Sequence, residues 1–393
     1  MIKELLQKKY LIYGSSIIFG RGLEYLVLFF AAYYLTKEDY GELEFYKKVI
    51  EVGASIFAFG FPTLILSYTR SRDSKNYFYL LSILFVFFIG LLSMGFLYMA
   101  DLLFLLVPFL FYAVFFTGGI THSYNLVQNG SNHASLYKMA ASILFYGTVF
   151  ISIYYYNVSS MAFVNVSYIL MPVGLTYTII QLYKQRIVRQ KALKYVKLFK
   201  KLLLGSLTLV VSNFTNMMFL YTDIFVIKLL SSNANVDIAN YSFSLNIAGM
   251  LLLIPMTLVQ VDIEKLKKIK GYVVQLNKKI VTLTVVGILF LIGLFKVLTH
   301  FYLSEYKDIF YLFLIILLAK AIQTFSPLYG TMLVIKKKFT INLILNLISL
   351  LFNVILSYLF YNFYGLYGIA VAGVVSLLVR YYLLFHFYKK YRG

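Results

Sequence analysis

The stretch Phe78–Met99, FYLLSILFVFFIGLLSMGFLYM, contains no charged side chain. A helix needs about 20 mostly apolar residues to cross the hydrocarbon core of a bilayer, and this stretch is long enough to do so. Similar runs recur along the chain: 61% of its 393 residues are hydrophobic and the mean hydropathy is +0.81. A soluble domain is nearer half apolar. The composition therefore indicates an all-helical protein that crosses a membrane many times.

Apolar runs of this kind predict twelve membrane spans. They are Leu11–Leu35, Phe45–Tyr68, Phe78–Met99, Leu102–Val127, Ala134–Tyr156, Ser159–Tyr183, Leu202–Leu230, Ile238–Val261, Ile280–His300, Ile309–Ile335, Phe339–Tyr361 and Tyr364–His386. A long polar connection, Lys184–Lys201, falls near the middle of the chain. This segment divides the spans into two groups of six, and we expect one bundle from residues 1–190 and a second from 191–393.

Basic residues concentrate in every second connection. Lys184–Lys201 holds many lysines and arginines and no acid, whereas acids such as Glu38 and Asp101 lie in the intervening connections. Because Lys and Arg favour the cytoplasmic side of a membrane, this alternation predicts that both chain termini are cytoplasmic. It also explains the net charge of +21 as a topology signal, so nucleic acid is not an expected partner.

The two groups of six spans show a faint internal repeat of about 190 residues. Such a repeat is typical of transporters built from two parallel halves. The matching positions are Gly14-Ser15 with Gly205-Ser206, and Pro62 with Pro255.

Signatures of catalysis are missing from the sequence. It has no cysteine, no phosphate-binding loop of the G-x-x-x-x-G-K-[ST] type and no H-E-x-x-H motif, and its four histidines are scattered. We therefore expect no catalytic residue, no metal site and no cofactor. A membrane polysaccharide polymerase or glycosyltransferase is a less favoured alternative, since such enzymes usually carry a large loop outside the membrane.

Charges inside the first predicted span are the first candidates for function. Arg21 and Glu24 are three residues apart and so share one helical face. A charge at the centre of a bilayer costs about 2.5–3.5 kcal/mol, so it should face the protein interior or a wet cavity. Arg21 is a candidate cavity cation for an anionic substrate, held in place by Glu24. The alternative is a buried ion pair that fixes packing.

A second group of charges opens the second predicted span. Lys47 and Glu51 are four residues apart and can pair, with Lys48 beside them. Lys47 and Lys48 are candidate substrate-binding cations and Glu51 is a candidate cavity acid. Because the group lies near a predicted membrane surface, the alternative is that the lysines reach out to that surface.

Three further charges lie inside spans of the second half. Asp223 is a candidate coupling acid for a cation or proton, or else bonds to a neighbouring span. Lys320 has no acid in the surrounding apolar run and is a candidate for phosphate binding. Arg380 lies nearer the predicted inner surface, and binding or structural roles are equally open.

All five prolines fall inside predicted spans. Proline removes a backbone hydrogen bond and kinks a helix. We expect kinks that act as hinges, although such kinks are common in membrane helices generally.

Several of these stretches resemble the polysaccharide-export and O-antigen flippases of the Wzx type. The first half shares Leu35-Thr36-Lys37-Glu38-Asp39-Tyr40-Gly41, then Phe59-Gly60-Phe61-Pro62, then Ser67-Tyr68-Thr69-Arg70. The second half shares Ser212-Asn213, Asp223, Ala239-Asn240-Tyr241 and Pro255. One departure is Gln128–Asn132 after the fourth span, where such families often carry an arginine.

The resemblance implies the multidrug/oligosaccharidyl-lipid/polysaccharide (MOP) exporter superfamily, whose members have two six-helix bundles around a central cavity. It implies a bacterial inner-membrane flippase that moves undecaprenyl-pyrophosphate-linked oligosaccharide, an O-antigen or capsule repeat unit, to the outer leaflet by alternating access. Arg21, Lys320, Lys47 and Lys48 are then the best cavity cations. An H⁺ or Na⁺ gradient acting on Asp223 is the expected energy source.

The same resemblance implies its partners and leaves alternatives. The partners are membrane lipid, the lipid-linked oligosaccharide and other membrane proteins of polysaccharide assembly. The main alternative is a cation-coupled small-molecule exporter of the same fold, which would favour an acidic or aromatic cavity. Lipid II flippases are a further option, but they usually have additional helices.

Overall fold

The computed structural model describes residues 8–68, 71–116, 118–128, 130–156, 160–184, 189–262, 265–266, 269, 271–336 and 338–391. Within these ranges the regular structure is helical, with no strand. The helices are α1 Lys8–Tyr34, α2 Lys37–Phe57, α3 Phe61–Tyr68, α4 Arg72–Met99, α5 Leu106–Val114, α6 Ile120–Gln128, α7 Gly130–Tyr156, α8 Ala162–Lys184, α9 Arg189–Leu230, α10 Ala234–Gly249, α11 Leu253–Val261, α12 Tyr272–Phe301, α13 Phe310–Gln323, α14 Ser326–Ile335 and α15 Phe339–Lys390. Short 3₁₀ turns at Leu103–Leu105, Met250–Leu252 and Ser304–Ile309 precede α5, α11 and α13.

In the described part of the chain, eight helical stretches are long and apolar enough to cross a membrane. In Tyr272–Phe301 only 22% of the most apolar window is buried inside the protein, and Leu289 and Phe290 are 68% and 66% exposed. Such surface is favourable only against an apolar solvent, which a bilayer supplies. The chain is therefore a multi-pass membrane protein. The count of twelve crossings and the cytoplasmic termini stay predictions.

Four of the predicted spans are each broken into two helices. The breaks lie at residues 58–60, 115–119, 250–252 and 324–325. They fall in the second and fourth predicted span of each group of six. Paired interruptions at corresponding positions of two halves are a feature of transporters with internal repeats, and they often mark the substrate site.

Four of the five prolines lie near the start of a helix, and the expectation that prolines act as hinges stays a prediction. Pro62, Pro108, Pro255 and Pro327 each lie in the first turn of a helix. There the proline ring breaks no intrahelical hydrogen bond, because the first turn has no partner for its N–H groups. Only Pro172 lies inside a continuous helix, α8.

α15 contains a break at Gly365. A single helix of 52 residues would be about 78 Å long, far more than the roughly 30 Å of a bilayer core. The chain escapes this at Gly365, whose φ of 56° and ψ of −136° suit a residue without a side chain. The break lies just beyond the junction that the sequence predicts between Tyr361 and Tyr364.

The basic central segment is largely helical rather than an extended connection. α9 begins at Arg189 and continues through the predicted seventh span to Leu230. Residues 185–188 lie outside the described residues. From Arg189 onward this segment therefore forms the first turns of a long helix.

The contacts within the chain group it into two compact units. Unit 1 consists of Met1–Ala31 and Tyr46–Met217, and unit 2 of Ala32–Phe45 and Met218–Gly393. Helices α1, α2 and α9 contribute to both. The predicted pair of bundles, 1–190 and 191–393, stays a prediction.

Aromatic rings dominate the interior of unit 1. Phe199 on α9 lies 5.3 Å from Phe61, 5.2 Å from Phe78 and 5.9 Å from Phe85, measured between ring centroids. These separations are in the favourable range for aromatic pairs. These ring contacts pack α9 against α3 and α4.

Unit 2 has an aliphatic core around α12, α14 and the end of α15. Its fully buried members include Leu276, Leu328 and Leu333. A smaller cluster of Phe219, Ala319 and Leu377 lies beside the charged residues described below.

Candidate functional site

Glu24 is the centre of an ion-pair network in unit 1. Its Oε2 accepts a hydrogen bond from Arg21 Nη1 at 2.7 Å, and its Oε1 accepts one from Lys47 Nζ at 2.6 Å. Glu51 Oε1 is 4.0 Å from the same ammonium. The sequence predicts both pairs within helices, Arg21–Glu24 and Lys47–Glu51. It does not predict the bond between Glu24 on α1 and Lys47 on α2, which joins the two pairs.

Lys47 and Lys48 are buried, which corrects the expectation that they reach a membrane surface. They are 2% and 5% exposed. α2 begins at Lys37, ten residues before Lys47, so these lysines lie in the middle of a helix and not at its opening. A buried ammonium is tolerated only when it is paired and hydrogen-bonded. Glu24 provides that partner for Lys47.

Arg21 differs from the other network members because its side chain is 52% exposed. One edge of the guanidinium binds the buried carboxylate of Glu24, which fixes its position. A guanidinium has five donors in a planar fork, so the remaining donors can bind a carboxylate or a phosphate. The arrangement can hold an anion against unit 1.

Glu44 is a buried acid that the sequence places in a connection, before the second span. It lies inside α2 and is fully buried in unit 2. Its Oε1 accepts a hydrogen bond from Asn246 Nδ2 at 2.8 Å, and Asn246 also donates to the Tyr40 hydroxyl at 3.2 Å. The helical spacing of Tyr40, Glu44, Lys47 and Glu51 is the signal that could have found it.

The first motif ends in Tyr40-Gly41, and the structure shows why a glycine is needed at position 41. A Cβ atom at Gly41 would lie 1.8 Å from the backbone oxygen of Asn235 and 3.1 Å from the nitrogen of Ala239. The absence of a side chain therefore lets α2 and α10 approach backbone to backbone. This contact places Tyr40 and Glu44 beside Asn246.

Asp223 is the centre of a second polar cluster, in unit 2. It accepts hydrogen bonds from the hydroxyl of Tyr241 and, at 3.5 Å, from Asn353 Nδ2. Tyr241 lies on α10 and Asn353 on α15. Asp223 thus bonds to neighbouring helices, which is the structural alternative that the sequence leaves open. Lys228, the only base that the sequence places near Asp223, instead donates to Asn235 Oδ1 at 2.8 Å.

Lys320 lines the same small cavity as Asp223. The cavity has a volume of about 20 Å³, room for about one water molecule, and Gln323, Asn353 and Gly373 also line it. Lys320 Nζ donates to Gln323 Oε1 at 2.9 Å. A lysine that lacks an acid in its own helix thus shares a cavity with the acid of α9.

Arg380 is buried next to this cavity. Its Nη2 donates to Asn346 Oδ1 at 3.0 Å, and its guanidinium carbon lies 4.5 Å from the centroid of the Phe219 ring. Phe219 also lines the cavity. The guanidinium is held by an amide and a ring face, an arrangement that favours a cation in a dry interior.

The structure thus groups the predicted site residues into two sets. Arg21, Glu24, Lys47 and Glu51 form one in unit 1. Asp223 and Lys320 line one cavity in unit 2, and Arg380 is buried next to it. Lys48 is also buried, and it follows Lys47 of the first set in the sequence.

Comparison with known proteins agrees with this architecture. The model of a family described as polysaccharide biosynthesis protein matches residues 6–263, which is more than half of the chain. No protein of curated function matches the sequence significantly.

Solved membrane transporters share the fold. An outward-facing multidrug resistance MATE family transporter of the MOP superfamily aligns over 99% of this chain and 97% of its own, with a TM-score of 0.65 and 14% identity. The lipid II flippase MurJ, in an inward closed conformation, aligns over 96% of this chain and 87% of its own, with a TM-score of 0.64 and 14% identity. A MOP superfamily transporter from Pyrococcus furiosus aligns over 98% of this chain and 97% of its own, with a TM-score of 0.57 and 14% identity.

These matches confirm the resemblance that the motifs indicate. At 14% identity the solved structures establish the fold, and the family match establishes the relationship. The chain belongs to the polysaccharide biosynthesis protein family and has the fold of the MOP transporters.

Proposed function

We propose that the protein is a flippase that moves an oligosaccharide linked to undecaprenyl pyrophosphate from the inner to the outer leaflet of a bacterial cytoplasmic membrane. The family match supports a role in polysaccharide assembly. The fold is that of transporters, one of which is a lipid II flippase. The protein would work as a transporter by alternating access, without a chemical step of its own.

The observation that carries the proposal is the geometry of Arg21. Its guanidinium is half exposed and is anchored by Glu24, which is itself held by the buried Lys47. An anchored guanidinium loses little side-chain entropy when it binds a phosphate, and it binds in a fixed orientation. The pyrophosphate of a lipid-linked sugar is an anion that fits such a donor fork.

Asp223 is the proposed coupling group. It lies in an apolar helix, accepts hydrogen bonds from Tyr241 and Asn353, and shares a small cavity with Lys320. A carboxylate in this position can exchange a proton or bind Na⁺, and the adjacent lysine makes the cluster sensitive to the charge on the carboxylate. An ion gradient would then drive the change between inward- and outward-open states.

Complementation tests this proposal. The chain would be expressed in a bacterial strain that lacks its polysaccharide flippase and carries the matching sugar pathway. We expect wild-type protein to restore surface polysaccharide, and Arg21→Ala to lose at least about tenfold, since removing a charge-assisted bond to phosphate costs more than about 1.4 kcal/mol. Arg21→Lys should retain part of the activity. Leu26→Ala, an exposed position on the same helix, is the matched control.

Membrane abundance of each variant must be equal for the comparison to hold. Restoration by wild-type protein and by Leu26→Ala, with loss in Arg21→Ala, would support the proposal. Failure of the wild-type chain to restore polysaccharide, with the pathway intact, would favour a small-molecule exporter of the same fold.

A further inference from the structure

Unit 1 contains a large cavity that the two charged clusters do not use. It lies among α5, α6, α7 and α8 and has a volume of about 390 Å³. Ligand-binding pockets in proteins occupy about 300–1,000 Å³, so this cavity is large enough to hold a ligand. Its walls include Phe111, Phe115 and Leu170.

Small residues on two facing helices create the space. Ala140 and Ala141 line the cavity from α7, and Gly174 lines it from α8. A Cβ atom at Gly174 would lie 2.6 Å from the ring of Phe115. Phe115 therefore packs flat against α8 only because position 174 has no side chain. The break between α5 and α6 begins at Phe115, whose carbonyl accepts a hydrogen bond from the Tyr137 hydroxyl at 2.5 Å.

The cavity has a polar end and an apolar end. On α7 it runs from His133 to Leu144, and on α8 from Gln181 to Leu170. Each pair is eleven residues apart, which is about 17 Å along a helix axis. Half of a bilayer core is roughly 15 Å thick. The cavity is thus about one leaflet deep, with its polar groups at one membrane surface.

The amide and hydroxyl groups of the polar end bond to one another. Asn125 Nδ2 and Gln181 Nε2 each donate to the Tyr177 hydroxyl at 3.1 Å. Among the described residues that line the cavity, none is Asp, Glu, Lys or Arg. A cavity without acidic, lysine or arginine side chains and with largely hydrocarbon walls favours an apolar occupant.

The side of the cavity is apolar and open. Leu136, Leu144 and Val173 line it, and each is more than half exposed. In a membrane protein such a surface lies in contact with hydrocarbon, so a chain could enter sideways from the bilayer. The polar end continues into Lys184 at the end of α8, where the charge pattern predicts the cytoplasmic surface.

We propose that this cavity holds the phosphate-proximal part of the polyprenyl chain of the lipid-linked substrate while that lipid lies in the cytoplasmic leaflet. The depth of one leaflet, the largely apolar walls and the lateral opening match the first part of a hydrocarbon chain whose phosphate end lies at the membrane surface. The inference rests on the proposed function, since it gives the lipid part of that substrate a site of its own. It separates the binding of the chain from the binding of the anion by Arg21.

Binding of undecaprenyl phosphate to the purified protein tests the proposal, with phosphatidylglycerol as the competing lipid. Retention of each lipid would be measured by native mass spectrometry over a range of concentrations. Ala140→Phe fills the cavity, and Val173→Trp closes its open side. Ile143→Phe adds bulk on the same helix at a half-exposed position that does not line the cavity. Thermal unfolding followed by circular dichroism verifies that each variant is folded.

We expect Ala140→Phe and Val173→Trp to weaken retention of undecaprenyl phosphate at least tenfold, and Ile143→Phe to leave it unchanged. If the folded cavity variants retain undecaprenyl phosphate like wild type, the proposal is overturned. If the cavity variants weaken only the retention of phosphatidylglycerol, the cavity binds ordinary membrane lipid. The assignment to the polyprenyl chain is then also overturned. The measurement needs no translocation, so failed complementation with cavity-dependent binding would reject the flippase function alone.

Discussion

At the scale of single residues, the defining feature of unit 1 is a carboxylate shared by two cations. Glu24 holds an exposed guanidinium on one oxygen and a buried ammonium on the other. The two bonds have different consequences. The bond to Lys47 satisfies a charge inside the protein, whereas the bond to Arg21 orients a half-exposed guanidinium, which we propose binds the substrate. Stability and transport should therefore depend on different members of the network.

Substitution of Glu24 tests the stabilising half of this assignment. In Glu24→Gln the buried Lys47 ammonium loses its carboxylate, and we expect the protein to lose about 3–5 kcal/mol of stability, as when one member of a buried ion pair is removed. Arg21→Ala should change stability by less than about 1 kcal/mol, because its partner bond is half exposed. Thermal unfolding in detergent, followed by circular dichroism, measures both.

A double substitution provides the control for this prediction. Glu24→Leu combined with Lys47→Met replaces the buried pair by apolar side chains, which is often neutral or stabilising. We expect the double variant to be more stable than Glu24→Gln. Equal stability of Glu24→Gln and wild type would contradict the buried pairing.

Substitution of Asp223 tests the proposed coupling. Asp223→Asn removes the charge and keeps an acceptor for Tyr241, so the fold should be retained. In vesicles with an imposed H⁺ or Na⁺ gradient, we expect translocation to become independent of the gradient. Asp237→Asn is the matched control, since this acid lies in the first turn of α10 and bonds Ser231. Gradient-dependent transport by Asp223→Asn at the wild-type rate would rule out Asp223 as the coupling group.

Sequence reasoning reaches the charges that pair within one helix and misses those that pair between helices. The three-residue spacing of Arg21 and Glu24 predicts their bond, which is present. The bond from Lys47 to Glu24 joins residues 23 positions apart, and no local pattern encodes it. Glu44 was missed because a charge near an apolar run is usually the end of a span, whereas here it is inside α2 and bonds Asn246.

At the scale of secondary-structure elements, broken helices are the characteristic feature. Predicted spans two, four, eight and ten are each two helices. In spans two, eight and ten a proline lies in the first turn of the second helix, whereas Pro108 lies in the first helix of span four. Backbone groups freed at a break need partners inside the membrane. Tyr137 supplies one at Phe115, and Thr324 donates to the Ala321 carbonyl at 2.7 Å.

The positions of these breaks could be predicted only in part. The prolines mark the spans concerned, yet proline alone does not distinguish a broken helix from a continuous one, as Pro172 inside α8 shows. The difference lies in tertiary packing. At the break before α3, Gly60 has a φ of 68° and a Cβ there would lie 2.7 Å from Leu209 Cβ. That contact is invisible in the local sequence.

Gly41 provides a prediction at this scale. In Gly41→Ala the new methyl group would collide with the backbone of Asn235, so α2 and α10 must separate. We expect a loss of at least about 3 kcal/mol, the upper end of the cost of overpacking. Gly95→Ala is the matched control, because no atom lies within 4 Å of that position and alanine favours the helix by about 0.5–1 kcal/mol.

Thermal unfolding of the two glycine variants gives a simple comparison. Gly95→Ala should unfold at or slightly above the wild-type temperature, and Gly41→Ala well below it. Similar unfolding temperatures for Gly41→Ala and Gly95→Ala would show that α2 and α10 do not meet at this glycine.

At the scale of the whole molecule, each unit carries a charged cluster built on a carboxylate. Unit 1 presents an anchored cation at Arg21, and unit 2 encloses Asp223 with Lys320 and Arg380. A transporter needs a group that binds the substrate and a group that responds to the energy source. The proposed division of these roles between the units accounts for charges that a purely structural membrane protein would not need.

The most direct test of the central claim is the movement of a lipid-linked oligosaccharide in vesicles that contain only this protein. A fluorescent undecaprenyl-pyrophosphate oligosaccharide would be placed in both leaflets and exposed to a membrane-impermeant quencher. We predict that vesicles with wild-type protein lose nearly all fluorescence and that Arg21→Ala vesicles lose only the signal of the outer leaflet. If wild-type vesicles lose only that outer-leaflet signal, as empty vesicles do, the protein does not flip this lipid.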